Sequence, residues 1–284
     1  MNINNDKVDN LLTSFKKFIN FLEDGDYEIV VNEATKAKLE SDILNIREEL
    51  ELYISEEQAF DNGGILQFNN SANPLNILCD KYGTDKGELN AVSHPYPWPS
   101  HNYGNFYDFL FRSSRQNIKK ILECGIGTNN EKIPCSMGEN GLPGASLRVW
   151  RDFFPNAEVI GVDIDDNILF DEYRIKTYKC DQLKIESIKN FISESSLEKE
   201  CLDIVIDDGL HTFEAGKSFF EGTIDLLRPD GIYIIEDVTP SGMLEFKKYF
   251  SRYLDKYSFF FFSLDRPDNK IKDNRLLCIR KIYL

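Results

Sequence analysis

The sequence predicts an α/β protein built on a Rossmann-like, doubly wound and mostly parallel sheet. Three observations carry that expectation. Short apolar segments alternate with amphipathic ones from residue 116 onward, glycines and acids collect where the apolar segments end, and the last two apolar segments are separated only by a polar turn. Seven strands are expected, in KKILECG, EVIGVDI, IKTYKC, LDIVIDD, GIYIIEDV, YSFFFFSL and RLLCIRKI. Helices are expected around Ser146 to Phe154, Ile185 to Ser193, Phe213 to Leu227 and Gly242 to Leu254. The turn DRPDNKIKDN makes the final two strands an antiparallel hairpin.

Upstream of this core, residues 1–70 read as an N-terminal helical extension. Leu39, Ile43, Ile46, Leu50 and Ile54 recur at three- and four-residue steps, a stripe that fits either core packing or a homo-oligomer interface. Residues 60–75 are rich in Gly, Asn and Ser and read as a linker, which puts the domain boundary there. Residues 71–115 read as a connecting or lid segment, and residues 116–284 as the ligand-binding domain.

Composition limits the function classes. Of 284 residues, 42% are hydrophobic and 29% charged, as in ordinary globular proteins, and no apolar run approaches the roughly 18 residues of a membrane span. No membrane partner is expected. The opening MNINNDKVDN lacks the basic start and apolar stretch of a secretory signal, so a cytoplasmic location is expected. Cysteines 79, 124, 135, 180, 201 and 278 form no CxxC pair, which favours reduced core thiols over disulfides or zinc ligands. A net charge of −15 repels a polyphosphate backbone, so no nucleic-acid partner is expected.

The chemistry-bearing residues sit at strand ends. The run from Ile121 to Gly127 closes a strand with Glu123, Gly125 and Gly127, glycines that let a backbone pass close to a ligand at the carboxyl edge of a sheet. Asp163 ends the next strand, where a carboxylate can accept hydrogen bonds from both hydroxyls of a ribose. Asp181 and Gln182 end the following one, an acid and an amide suited to an adenine amino group and its ring nitrogen. Together these form a nucleoside-shaped set. A dinucleotide turn GxGxxG is broken by Asn130, and an insertion over 128–145 delays the first helix. Ser146 then either caps that helix or, with its neighbouring amides, receives a ligand carboxylate.

A second constellation is acidic. Asp207, Asp208, Gly209 and His211 follow one buried strand, and Glu236 and Asp237 end another. Adjacent strand tips lie about 4.8 Å apart, so Asp208, Glu236 and Asp237 can converge on one point. Three such carboxylates repel and raise one another's pKa, which a hard divalent cation resolves; all-oxygen ligands favour Mg2+, with Mn2+ or Ca2+ in its place. A cation lowers the pKa of a coordinated hydroxyl, and His211 can then take its proton, with Asp208 beside it.

These residues resemble a known family, the metal-dependent sugar O-methyltransferases typified by the macrocin and mycinamicin enzymes of macrolide tailoring. The resemblance covers about residues 76–280 and rests on Lys81 to Gly87, His101 with Tyr103 and Tyr107, Gly144 to Leu147 before Trp150, Ile206 to His211, and Ile235 to Val238. It implies a class I methyltransferase fold and S-adenosylmethionine as cofactor, lined by Glu123, Gly125, Gly127, Ser146, Asp163, Asp181 and Gln182. It also implies Asp208, Glu236 and Asp237 as Mg2+ ligands, His211 as general base, and a sugar hydroxyl as acceptor. Asn129, where a third glycine often sits, and the long insertion depart from the family pattern. The acceptor is left open among a nucleotide-linked sugar, a surface-polysaccharide precursor and a glycosylated small molecule. The block around Tyr82 to Tyr107, with His94, Trp98 and His101 in HPYPWPSHNY, reads either as a loop that closes over cofactor and acceptor or as one packed for structural reasons. Two competing readings remain at this point. One is an NAD-dependent sugar dehydrogenase or epimerase using Tyr82 and Lys86, and the other is a non-catalytic binding protein on the same scaffold.

Overall fold

In the computed structural model the described residues are 63–68, 72–87, 96, 98–265, 271 and 273–282. All belong to one compact unit, Leu50–Leu284. The stripe from Leu39 to Ile54 and His94 lie outside the described residues, as does the expected helical extension up to residue 62.

The first described element is a strand, Gly63–Gln67 (β1), within the stretch whose composition reads as a linker. Glycines and asparagines around it hide a five-residue edge strand that pairs in parallel with a distant partner, a tertiary effect that composition does not register. Helices Pro74–Tyr82 (α1) and Tyr103–Phe111 (α2) follow in the segment expected to connect. Asn73 caps α1 by accepting from the Asn76 amide, with Pro74 in the first turn. In α2, seven of nine residues are buried, so it carries no polar face to reveal a helical period.

The central sheet then builds from Lys120–Cys124 (β2), Glu158–Asp163 (β3), Asp171–Glu172 (β4), Ile175–Lys179 (β5), Leu202–Asp207 (β6), Leu227–Ile235 (β7), Tyr257–Asp265 (β8) and Arg275–Lys281 (β9). The crossovers are Ala145–Phe153 (α3), Ile185–Ser195 (α4), Phe213–Thr223 (α5) and Pro240–Phe250 (α6). All seven expected strands form, and β1 and the two-residue β4 bring the described sheet to nine. Its order is β1-β8-β9-β7-β6-β2-β3-β5-β4. Strands β7, β6, β2, β3 and β5 run parallel. The expected terminal hairpin β8–β9 is antiparallel, and β9 also pairs antiparallel with β7.

Alternate residues of the buried strands face two cores. Leu122, Val205 and Tyr233 pack with Phe191, Phe219 and Phe250, whereas Ile121, Ile204 and Ile234 share the other core with Tyr107, Trp150 and Phe153. All six cysteines are free; Cys79, Cys124, Cys180 and Cys278 are buried, and Cys135 in the insertion is exposed. No described helix is long and apolar enough to cross a membrane. Chain order reverses between β2 and β6, the switch point where parallel sheets open a crevice beyond their carboxyl ends.

Candidate functional site

At that switch point the turn after β2 is pressed against the tip of β6. The Asp208 amide donates to the Cys124 carbonyl at 2.9 Å. Gly125 has φ +81°, and a Cβ there would lie 2.0 Å from the Asp208 carbonyl oxygen. Gly127 has φ +83°, and the atoms nearest its Cβ would all be those of the Met137 side chain. Both glycines are therefore set by left-handed backbone as well as by crowding.

A cavity of about 560 Å³ opens here, lined by Gly125, Gly127, Ser146, Asp163, Asp181 and Gln182 on one side and by Asp208, His211, Glu236 and Asp237 on the other. The two constellations expected from sequence thus share one cavity. Asp163 accepts from the Ile126 amide at 2.9 Å and the Asp165 amide at 3.0 Å, one through each oxygen. Burial raises its pKa, partly opposed by those amides. Ile164 and Leu183, both about half exposed, line the cavity beside Asp163 and Asp181 and offer apolar faces to a flat ring. Ala145 and Ser146 bring the start of α3 to the cavity wall, with Gly144 rather than Ser146 as the helix cap. A nucleoside carrying an amino-acid tail fits this set of groups.

Two residues expected to line the cofactor are placed differently. Glu123 is fully buried beneath the wall, where it accepts from the Ser146 hydroxyl at 2.7 Å and faces Lys86 at 3.5 Å. Burial pushes its pKa up to about 7. Gln182 lines the cavity, yet its amide spans the β6 turn, donating to Asp207 at 3.1 Å and accepting from the Leu210 amide at 2.7 Å. Asp181 lines the cavity while holding its own turn through the Leu183 amide and Lys184.

Asp208 and Glu236 converge with Glu123 on Lys86, whereas Asp237 turns to Tyr103 and His211 instead. Lys86 Nζ is buried against Asp208 at 2.6 Å, Glu236, and Glu123 at 3.5 Å. Burial works against its charge, but the three carboxylates outweigh it and raise its pKa well above the ordinary value. Burial likewise opposes ionisation of Asp208, and Lys86 and His211 overcome it, lowering the pKa to about 2. Glu236 moves the other way, raised by burial and by the neighbouring acids. Tyr107 donates to Glu236 at 2.5 Å and Tyr103 to Asp237 at 2.6 Å, while His101 lies 3.5 Å from Asp237. Lys86 belongs to the segment KYGTDKG and the other three to SHNYGNFY, which the sequence offers as family motifs, a candidate lid and, for Lys86, half of a dehydrogenase pair.

One carboxylate oxygen each of Asp208 and Asp237 faces His211 Nε2, at 3.2 Å and 3.4 Å. Asp208, His211 and Asp237 offer ligand atoms all within 4.8 Å of one another. Burial lowers the His211 pKa, and Asp237 and Asp208 raise it further than burial lowers it. His211 and Asp237 both hold left-handed backbone, φ 55° and 53°, a strained state that aims their side chains at one point. The facing atoms of Asp208, His211 and Asp237 form a donor set that fits a divalent cation, whereas Glu236, engaged by Lys86 and Tyr107, is not part of that group. Tyr82 is elsewhere. Its hydroxyl meets Asp152 at 2.5 Å and Arg151 at 3.0 Å, so the structure does not bring Tyr82 and Lys86 together as a dehydrogenase pair would require.

No protein-family model matches the chain. Over 160 residues it is 36% identical to mycinamicin VI 2''-O-methyltransferase of Micromonospora griseorubida, covering 55% of this chain and 37% of that one. Over 157 residues it is 34% identical to demethylmacrocin O-methyltransferase of Streptomyces fradiae, covering 54% and 37%. The chain resembles the macrolide sugar O-methyltransferases. It spans little more than a third of the length of these relatives. Among solved structures, the MycE methyltransferase of the mycinamycin pathway, in complex with Mg, SAH and mycinamycin VI, superposes with a TM-score of 0.51 at 25% identity, over 75% of this chain and 56% of that one. The fold is the class I methyltransferase fold, with the two additional strands noted above.

Proposed function

We propose that the chain transfers a methyl group from S-adenosylmethionine to a sugar hydroxyl with the help of a divalent cation, Mg2+ or Mn2+. The observation that carries this is the placement of Asp208, His211 and Asp237 in the same cavity as Gly125, Asp163 and Ser146. Likeness to O-methyltransferases of rhamnosyl tetracenomycin-C and L-olivosyl-oleandolide, at 30% identity each, supports it.

Asp163 holds the ribose, Ile164 and Leu183 flank the base, and Ala145 and Ser146 receive the amino-acid end. Asp208 and Asp237, with Glu236 next to them, hold the cation. When bound, the cation supplies Lewis acidity to the acceptor hydroxyl and offsets the carboxylates' pull on the imidazole. His211 takes the hydroxyl proton on Nε2 as the new carbon–oxygen bond forms and the carbon–sulfur bond breaks. Tyr103 and Tyr107 orient the acids, and water is kept from the acids by Tyr103, Tyr107 and His101, all buried. We extend the proposal to a cytoplasmic biosynthetic enzyme whose acceptor is a nucleotide-linked sugar, a surface-polysaccharide precursor or a glycoside.

Calorimetry with S-adenosylmethionine and with NAD is the first test. Binding of the former alone is expected; binding of NAD alone points to a dehydrogenase, and binding of neither to a scaffold. Release of S-adenosylhomocysteine across a panel of nucleotide sugars and glycosides then identifies the acceptor. Turnover that survives exhaustive chelation, or full turnover in Asp208→Asn, overturns the role given to the cation.

A further inference from the structure

The loop from Gly83 to Gly87 delivers Lys86 into the carboxylate set, and Lys86 is only 2% exposed. Asp208 is divided between two partners: Oδ2 takes Lys86 at 2.6 Å and Oδ1 faces His211 at 3.2 Å. Glu236 has both oxygens engaged, Oε2 by Lys86 and Oε1 by Tyr107. Two of the three carboxylates assigned to the cation therefore already hold an ammonium, Asp208 through the oxygen that does not face His211.

We propose that Lys86 is a built-in competitor for the divalent cation, which must release Asp208 and Glu236 for the ion to take them and so sets how tightly the ion binds. The inference rests on the metal-dependent function proposed above. Its physical basis is that one carboxylate oxygen does not serve a buried ammonium and a close-fitting divalent ion at full strength together, and that two cations packed into one site of low dielectric repel. The loop is pinned at its end, which leaves the side chain as the part that would have to move. Gly87 is packed so closely on Asn76 that a Cβ would lie 2.4 Å from its amide oxygen, whereas Thr84, Asp85 and Lys86 line the open cavity. A flexible four-carbon stem can then carry the ammonium toward the cavity while staying near Glu123.

The sign of one measurement separates this from a structural role. A lysine that only braces the acids makes cation binding weaker when removed, and a competitor makes it tighter. Mn2+ binding to the full chain is measured by calorimetry and electron paramagnetic resonance for wild type, Lys86→Met and Lys86→Arg. Lys86→Met is expected to bind roughly tenfold tighter or more, and Lys86→Arg to stay within about threefold of wild type. Equal or weaker binding by a folded Lys86→Met overturns the proposal and leaves the metal-dependent function standing. Absence of binding by both wild type and Lys86→Met overturns the two together. Should Lys86→Met not fold, the wild type labelled with 15N-lysine decides: a protected ammonium resonance that changes on saturation with Mg2+ supports the exchange, and one that stays unchanged refutes it.

Discussion

Replacing Gly125 with alanine should cripple cofactor and cation binding together, although the residue has no side chain to touch either. The new Cβ would lie 2.0 Å from the Asp208 carbonyl oxygen, 2.5 Å from its carbon and 2.7 Å from Gly209 Cα, where ordinary contact begins at 3.4 Å. All three atoms are backbone, so no side chain can swing away, and the β2 turn and the β6 tip must separate by on the order of 1 Å. Holding alanine at φ +81° costs about 1 to 2 kcal/mol, and the overlap adds about 1 to 3 kcal/mol. Separation also strains the 2.9 Å bond from the Asp208 amide to Cys124 that fixes the carboxylate relative to the cofactor turn. Gly127→Ala is the internal control. The atoms nearest its Cβ all belong to Met137, a flexible side chain that can give way without moving the β6 tip, so cofactor affinity should fall while cation affinity holds. Calorimetric titration of both variants with S-adenosylhomocysteine and, separately, with Mn2+ reads the contrast, with urea denaturation for stability. A folded Gly125→Ala that binds Mn2+ as wild type does would refute the claim that the two sites share one backbone junction.

Three further outcomes follow from the site's geometry. His211→Ala should lower turnover by roughly a hundredfold to ten-thousandfold with S-adenosylmethionine affinity nearly unchanged; equal losses in both would reassign the imidazole to structure. Glu123 is an acid whose folded pKa is raised to about 7 from 4.5, so its ionisation costs the folded state. Stability of the metal-free protein should therefore decline as pH rises from about 4.5 through 7, by up to about 3 kcal/mol from this group, and denaturation curves of Glu123→Gln at pH 5 and 7.5 should lack that decline. Tyr103→Phe removes a hydroxyl that donates to Asp237 at 2.6 Å and accepts from its amide at 3.2 Å. It should cost about 1 to 3 kcal/mol of stability and weaken Mn2+ binding more than cofactor binding, and an unaltered Mn2+ affinity would count against the role given to Tyr103.

The central strands were legible in the sequence because each is a short aliphatic run ending in a glycine or an acid, and burial on both faces leaves no other reading. LDIVIDD and EVIGVDI are the clearest cases. Strand β1 was not, since its five residues include two glycines and gain their state from pairing with β8. Helix α2 was hidden by its aromatic content, which erased the polar face that betrays a helix. At the site, acids at strand tips could be placed from topology alone, because neighbouring tips must be close. The partners of those acids could not. Lys86, His101, Tyr103 and Tyr107 arrive from the segment between β1 and β2, outside the run of alternating strands and helices, and no periodicity relates residue 86 to residues 123, 208 and 236. Gln182 shows the converse failure: its type suited a purine, but a neighbouring turn claims both ends of its amide.

The left-handed backbone at His211 and Asp237 has a consequence for anyone engineering this protein. Glycine at either position would relax the main chain by about 1 kcal/mol or more while deleting the group that the strain exists to aim. Selection for heat tolerance alone would reward such changes and return robust but inert variants, so a thermostability campaign on this scaffold needs a turnover screen at every round.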